Sequence, residues 1–76
     1  DNMEAKIKKL AEIIVNYSLD VKEEEKVLIT YQSKECNNLI KELIRLINLR
    51  KGIVFVNYIL KQFTAAVNVI KRRTYA

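Results

Sequence analysis

Two runs of β-branched and aromatic residues, Val27-Leu28-Ile29-Thr30-Tyr31 and Ile53-Val54-Phe55-Val56-Asn57-Tyr58, flank a segment of amphipathic-helix length, and this order constrains the fold more than any other feature. It is the pattern of a strand, a crossover helix and a second strand parallel to the first. Strands of a parallel pair are ordinarily covered on both faces, so their runs read as continuously apolar, and burial of both faces is expected here. Two strands are too few for a sheet that stands alone in water. The expected fold class is therefore α/β: a small α-β-α-β-α unit with a parallel strand pair, an incomplete Rossmann-like layer in a single domain over residues 1–76.

The flanking segments fit that frame. Between Met3 and Leu19 the apolar positions Ile7, Leu10, Ala11, Ile14, Val15 and Leu19 recur at three and four residues and form one helical stripe. Glu4 and Lys8 stand four apart in the favourable order, and Asn2 or Asp1 can cap the first turn. The polar stretch Asp20–Lys26 ends this helix, and the mutual repulsion of Glu23-Glu24-Glu25 favours an exposed turn. Those carboxylates lack the spaced ligands and turn glycine of a calcium loop.

Lys26–Tyr31 reads as the first strand and Gln32-Ser33-Lys34 as its exit loop. A helix from about Glu35 to Lys51 follows, with a wide apolar set: Cys36, Leu39, Ile40, Leu43, Ile44, Leu46, Ile47 and Leu49. Gly52, the single glycine of the chain, closes it, in the left-handed conformation that glycine adopts at little cost. Ile53–Tyr58 is the second strand. In the tail from Ile59 to Ala76, Leu60, Phe63, Val67 and Ile70 fall at spacings of three, four and three, which predicts a helix crossing back over the sheet. Alternation from Ala66 to Ile70 is the competing reading, a third strand.

The residue inventory excludes most chemistry. Without histidine there is no Ser-His-Asp arrangement and no imidazole metal ligand, and one cysteine builds neither a zinc site nor an internal disulfide. One glycine satisfies neither the phosphate-cradling loop nor the dinucleotide fingerprint. Catalysis by these residues alone is not expected, and no catalytic or metal-binding residue is assigned. Cys36 lies in the first turn of the second helix, where the helix dipole favours a thiolate. Its place on the stripe with Ile40 makes it a small core residue. Tyr17, Tyr31, Tyr58 and Tyr75 are expected as half-buried packing rings. Ser33 and Lys34 are the candidate anion site, because open α/β sheets bind ligands at the carboxyl ends of their strands.

Charge is unevenly distributed. Residues 1–42 hold all nine acids against seven Lys and Arg, a balance of −2, while residues 43–76 hold seven bases and no acid, +7, for the overall +5. Arg45, Arg50, Lys51, Arg72 and Arg73 are thus candidate phosphate contacts of a small nucleic-acid-binding module. An ordinary solvated surface is the simpler account of the same residues. A lone thiol points to a reducing, cytoplasmic setting, the charged start Asp1–Lys9 is unlike a secretory leader, and no apolar run is long enough to span a membrane.

The run Lys9-Leu10-Ala11-Glu12-Ile13-Ile14-Val15-Asn16-Tyr17-Ser18-Leu19-Asp20-Val21-Lys22, with Glu25-Lys26-Val27-Leu28-Ile29 after it, resembles the amino-terminal segment of the thermophilic-type metallo-aminopeptidases, the family of aminopeptidase T and aminopeptidase S. Arg50-Lys51-Gly52-Ile53-Val54-Phe55-Val56 is similar to that family's second helix end, glycine and second strand, so the resemblance covers about residues 3–58. The family commonly has a glycine where this chain has Glu24, which implies a different turn geometry, and the tail from Leu60 departs from the family pattern. The resemblance implies a cytoplasmic, metal-dependent aminopeptidase as parent. Its two divalent metal ions would be held by a carboxyl-terminal part, so no cofactor and no ligand maps onto this sequence. On this reading the chain is a fragment or truncated amino-terminal scaffold that flanks the substrate cleft. Its expected partners are the remainder of that enzyme or further copies of itself in a homo-oligomer, with nucleic acid as the alternative and no membrane.

Overall fold

A computed structural model describes residues 2–59 and 67–72. Helix α1 (Asn2–Ile13) runs into a π-helical turn (Ile14–Ser18), strand β1 (Lys26–Tyr31), a 3₁₀ turn (Lys34–Cys36), helix α2 (Asn37–Leu49), strand β2 (Ile53–Tyr58) and strand β3 (Val67–Arg72). The sheet order is β2-β1-β3, with β2 parallel and β3 antiparallel to the central β1. The α/β class and the parallel pair joined through a helix are as the sequence predicts, and both strands of that pair begin and end at the predicted residues.

Both helices lie on one side of the sheet. Their stripes enclose a core of Ala11, Val15, Val21, Val27, Ile29, Ile40, Leu43, Leu46 and Ile47, with Cys36, Leu39, Ile44, Val54, Val67 and Val69 packed at its margin. The wide apolar face of α2 is accounted for by its contacts with both α1 and the sheet. Cys36, expected as a buried core residue in the first turn of the helix, is half-buried at the core margin in the 3₁₀ turn that precedes α2.

Several expectations are corrected. Residues 67–72 form a strand, not the final helix of an α-β-α-β-α unit. The decisive pattern is a period of two: Val67, Val69 and Lys71 are half-buried while Asn68, Ile70 and Arg72 are exposed. Expectations placed on Asp1, Leu60, Phe63, Arg73 and Tyr75 fall outside the described residues. Tyr17 is not a packing ring but an exposed one.

Glycine is not the left-handed residue at the end of α2. Lys51 takes that conformation, with φ +60°, and the two bonds of a Schellman closure form around it: Lys51 N–H donates to Asn48 O at 3.0 Å and Gly52 N–H to Ile47 O at 2.9 Å. Gly52 is required for closeness instead. A β-carbon there would stand 2.8 Å from Val21 Cγ1 and 2.9 Å from Ile47 Cγ2. Glu24, expected to impose a different turn, adopts the left-handed geometry itself, with φ +68°, and its N–H donates to Lys51 O at 2.9 Å.

Candidate docking face

In the register of the sheet, Leu28 pairs with Phe55 on one side and Ile70 on the other, so these three side chains form a row across all three strands. The row lies on the face away from the helices, with Leu28 40% exposed, Phe55 51% and Ile70 59%, and Ile53 beside it 42%. Burial of both faces, expected from the continuous apolar runs, therefore holds only on the helix side of β1, at Val27 and Ile29; on β2 even the helix-side Val56 and Tyr58 are exposed. Polar rows bound the patch. Asn57, Thr30 and Asn68 align at the carboxyl end of β1, and Lys26 and Arg72 align with Ile53 at the other end. Monomeric surfaces scatter their exposed apolar residues, whereas a contiguous patch with a polar rim marks a contact surface. Covering these four half-exposed side chains would stabilise the bound state by roughly 3–6 kcal/mol, taking half of the 1.5–3 kcal/mol for full burial of each.

At the carboxyl ends of the strands, Tyr31 and Tyr58 meet with ring centroids 5.0 Å apart and Ile59 N–H donates to Tyr31 O at 2.8 Å. Ser33 caps the following turn: its Oγ accepts from Glu35 N–H at 3.2 Å, and its carbonyl accepts from Cys36 N–H at 3.0 Å. The hydroxyl of the anion candidate is thus engaged locally, Lys34 is exposed beside it, and Glu35 sets a carboxylate in the same first turn.

The basic candidates do not converge. Arg45 is on α2, 2.7 Å from Glu42, and lines an open groove of about 520 Å³ between α1 and α2 together with Met3, Ile7 and Lys41. Lys51 is exposed at the helix end, 3.9 Å from Glu23. Arg72 is at the rim of the bare sheet face, and Arg73 lies outside the described residues.

Arg50 is committed to the fold. Its guanidinium donates to Val21 O at 2.6 Å, Asn16 Oδ1 at 2.9 Å and Asp20 Oδ1 at 3.2 Å, tying the π turn and the loop before β1 to the end of α2. A second charged knot adjoins it. Glu25, expected in an exposed turn, is buried; its Oε1 accepts from Lys22 N–H at 2.7 Å and stands 3.2 Å from Lys71 Nζ on β3. Lys71 also donates to Asp20 O at 3.2 Å. The hydrogen bond from Lys22, assisted by the charges of Lys22, Arg50 and Lys71, holds the Asp20 carboxyl below its ordinary value. Sequence reasoning missed this cluster because Lys71 is 51 residues from Asp20 and only the strand form of residues 67–72 brings it there. The one available signal was a lysine at an inward position of the alternating tail.

Among the described residues no three cysteine or acidic side chains are placed to hold a metal ion. No described helix is long and apolar enough to cross a membrane. Comparison with protein families, with curated proteins and with solved structures finds no match to this chain.

Proposed function

We propose that this chain is a scaffold layer without reacting groups of its own, one that docks its bare sheet face against a further layer of protein. In the metal-dependent aminopeptidase that its sequence resembles, it would be the amino-terminal unit flanking the substrate cleft, with the metal-activated water supplied elsewhere. One observation carries the reading: the Phe55-Leu28-Ile70 row spans a sheet whose opposite face packs its central strand, through Val27 and Ile29, into the core with the two helices. The fixed charges support it, since Arg50, Glu25 and Lys71 are occupied in closing the fold.

Two assays test it together. The chain incubated with aminoacyl anilides and cobalt, zinc or magnesium should show no turnover above the metal blank, and turnover that follows the purified chain would refute the scaffold role. An apolar dye such as anilinonaphthalene sulfonate should fluoresce on the folded chain at neutral pH. Leu28→Lys on the central strand should abolish most of that signal with the circular dichroism retained. Undiminished dye binding in that variant would refute the docking face.

A further inference from the structure

The sheet has a feature separate from its bare face: the outer edge of β2. Ile53 N–H donates to Glu25 O and Ile59 N–H to Tyr31 O, so the odd-numbered residues of this strand turn their backbone groups toward β1. Backbone direction alternates along a strand, which leaves the N–H and C=O of Val54, Val56 and Tyr58 directed outward. Among the described residues β2 is an end strand of the sheet, with nothing hydrogen-bonded beyond it.

Natural edges are protected by charge, proline, bulges or shortness. β2 has none of these. Its sequence is Ile-Val-Phe-Val-Asn-Tyr, six residues without a charge, glycine or proline. The other edge, β3, carries the exposed charge of Arg72, beside a Lys71 that is paired with Glu25. The two edges therefore differ in what they repel, and for a chain of net charge +5 this decides which edge a second copy can approach. Copies joined through β2 keep the Lys71 and Arg72 ends at the far margins of the joint sheet.

We propose that β2 is a self-pairing edge, at which two copies of this chain join antiparallel about a two-fold axis through Val56. Two-fold symmetry makes the contact isologous. Residues facing one another must share a sheet face, which restricts the axis to a residue position. Centred on Phe55, the register bonds Val54 to Val56 of the second copy and leaves the groups of Tyr58 unmatched. Centred on Val56, it sets Val56 against its own copy and Val54 against Tyr58, so every outward N–H and C=O of the strand is satisfied. The product is a continuous sheet in the order β3-β1-β2-β2-β1-β3, with the apolar rows of both copies on one face.

The test is a crosslink, which does not depend on weakening the fold. Facing residues of a bonded antiparallel pair have α-carbons about 5.5 Å apart, inside the range of about 4.4–6.8 Å that a disulfide spans. Val56 is 43% exposed, so a cysteine is accommodated there. In a Cys36→Ser background, mild oxidation of Val56→Cys should give a covalent species of twice the 8.9 kDa chain mass. A mixture of Val54→Cys and Tyr58→Cys chains should link as well, whereas Ile70→Cys on the far strand should stay single. Sedimentation of the unmodified chain should show the same doubled mass. A monomer in sedimentation, no link at Val56, or equal linking at Val56 and Ile70 would each overturn edge pairing. The outcome is distinguishable from that of the docking face, because Leu28→Lys removes dye binding and leaves the Val56 crosslink in place.

Discussion

Lys51 and Gly52 are neighbours on which opposite substitutions should act with opposite sign. Lys51 is held at φ +60° at the close of α2, a conformation that costs a residue with a β-carbon about 1–2 kcal/mol. Lys51→Gly removes that strain and adds about 0.5–1 kcal/mol of unfolded-chain entropy. The net gain is about 0.5–1 kcal/mol, a rise in Tm of about 2–8 °C for a domain of this size. Gly52→Ala introduces a methyl group 2.8 Å from Val21 Cγ1 and 2.9 Å from Ile47 Cγ2. Both neighbours are fully buried, so neither can swing aside, and overpacking of this kind costs about 1–3 kcal/mol. Thermal unfolding followed by far-ultraviolet circular dichroism, at one fixed protein concentration to hold association constant, measures both. If Gly52 were the left-handed residue, as the sequence pattern suggests, Lys51→Gly would destabilise by helix-end entropy alone. A lower Tm for Lys51→Gly, or an unchanged Tm for Gly52→Ala, would refute the placement of the left-handed residue and of the close contact.

Three further outcomes follow from the charged cluster. Arg50→Lys replaces a planar fork serving three acceptors by a single ammonium and should cost about 1.5–3 kcal/mol in urea denaturation. Asp20 has a folded-state carboxyl held below its ordinary value, so its contribution is present above the unfolded value of 3.8 and is lost as pH falls through the lower folded value. Asp20→Asn should therefore flatten the acid limb of a stability-against-pH curve, and an unaltered limb would remove Asp20 from the cluster. Lys71→Met alone leaves the Glu25 carboxylate buried without its cation and should cost about 3–5 kcal/mol. Adding Glu25→Gln, which keeps an acceptor for the Lys22 amide, should restore most of that loss, and strict additivity in this double-mutant cycle would contradict the pair.

The parallel pair was legible because its signal is local. Two β-branched runs and a helical stripe between them name their own elements, and β1 and β2 lie where the periodicity puts them. Residues 67–72 misled for a definite reason: Val67 and Ile70 match a helical spacing by coincidence, while the alternation that decides these residues spans only six positions. Pairing with β1 then overrides the local preference. Glu25 misled similarly, since three consecutive acids read as solvated, whereas the Lys22 amide and a lysine arriving from β3 favour burial of one of them. The left-handed residues at Glu24 and Lys51 were hidden because neither has a residue type that advertises the conformation. The Glu24 N–H bond to Lys51 O joins those two turns, so each helps to hold the other in place.

The bare face shows the same division between composition and context. Outward positions of a water-facing sheet are normally polar, and antiparallel sheets with one wet side alternate accordingly. β1 and β3 come close to this, each putting one apolar residue outward between polar ones, Leu28 between Lys26 and Thr30 and Ile70 between Asn68 and Arg72, while β2 puts both Ile53 and Phe55 outward. Of the two end strands, the one that alternates carries charged residues, and the one that does not is uncharged. Exposed apolar side chains are thus densest on β2, where Ile53, Phe55, Val56 and Tyr58 are all exposed. A sheet that ends in water at β3 and continues at β2 is the arrangement these residues suit. If β2 were instead the finished margin, replacing Phe55 by lysine would improve solubility with no loss of assembly; the self-pairing edge requires that assembly weaken, because two added charges then flank the two-fold axis within one residue of Val56.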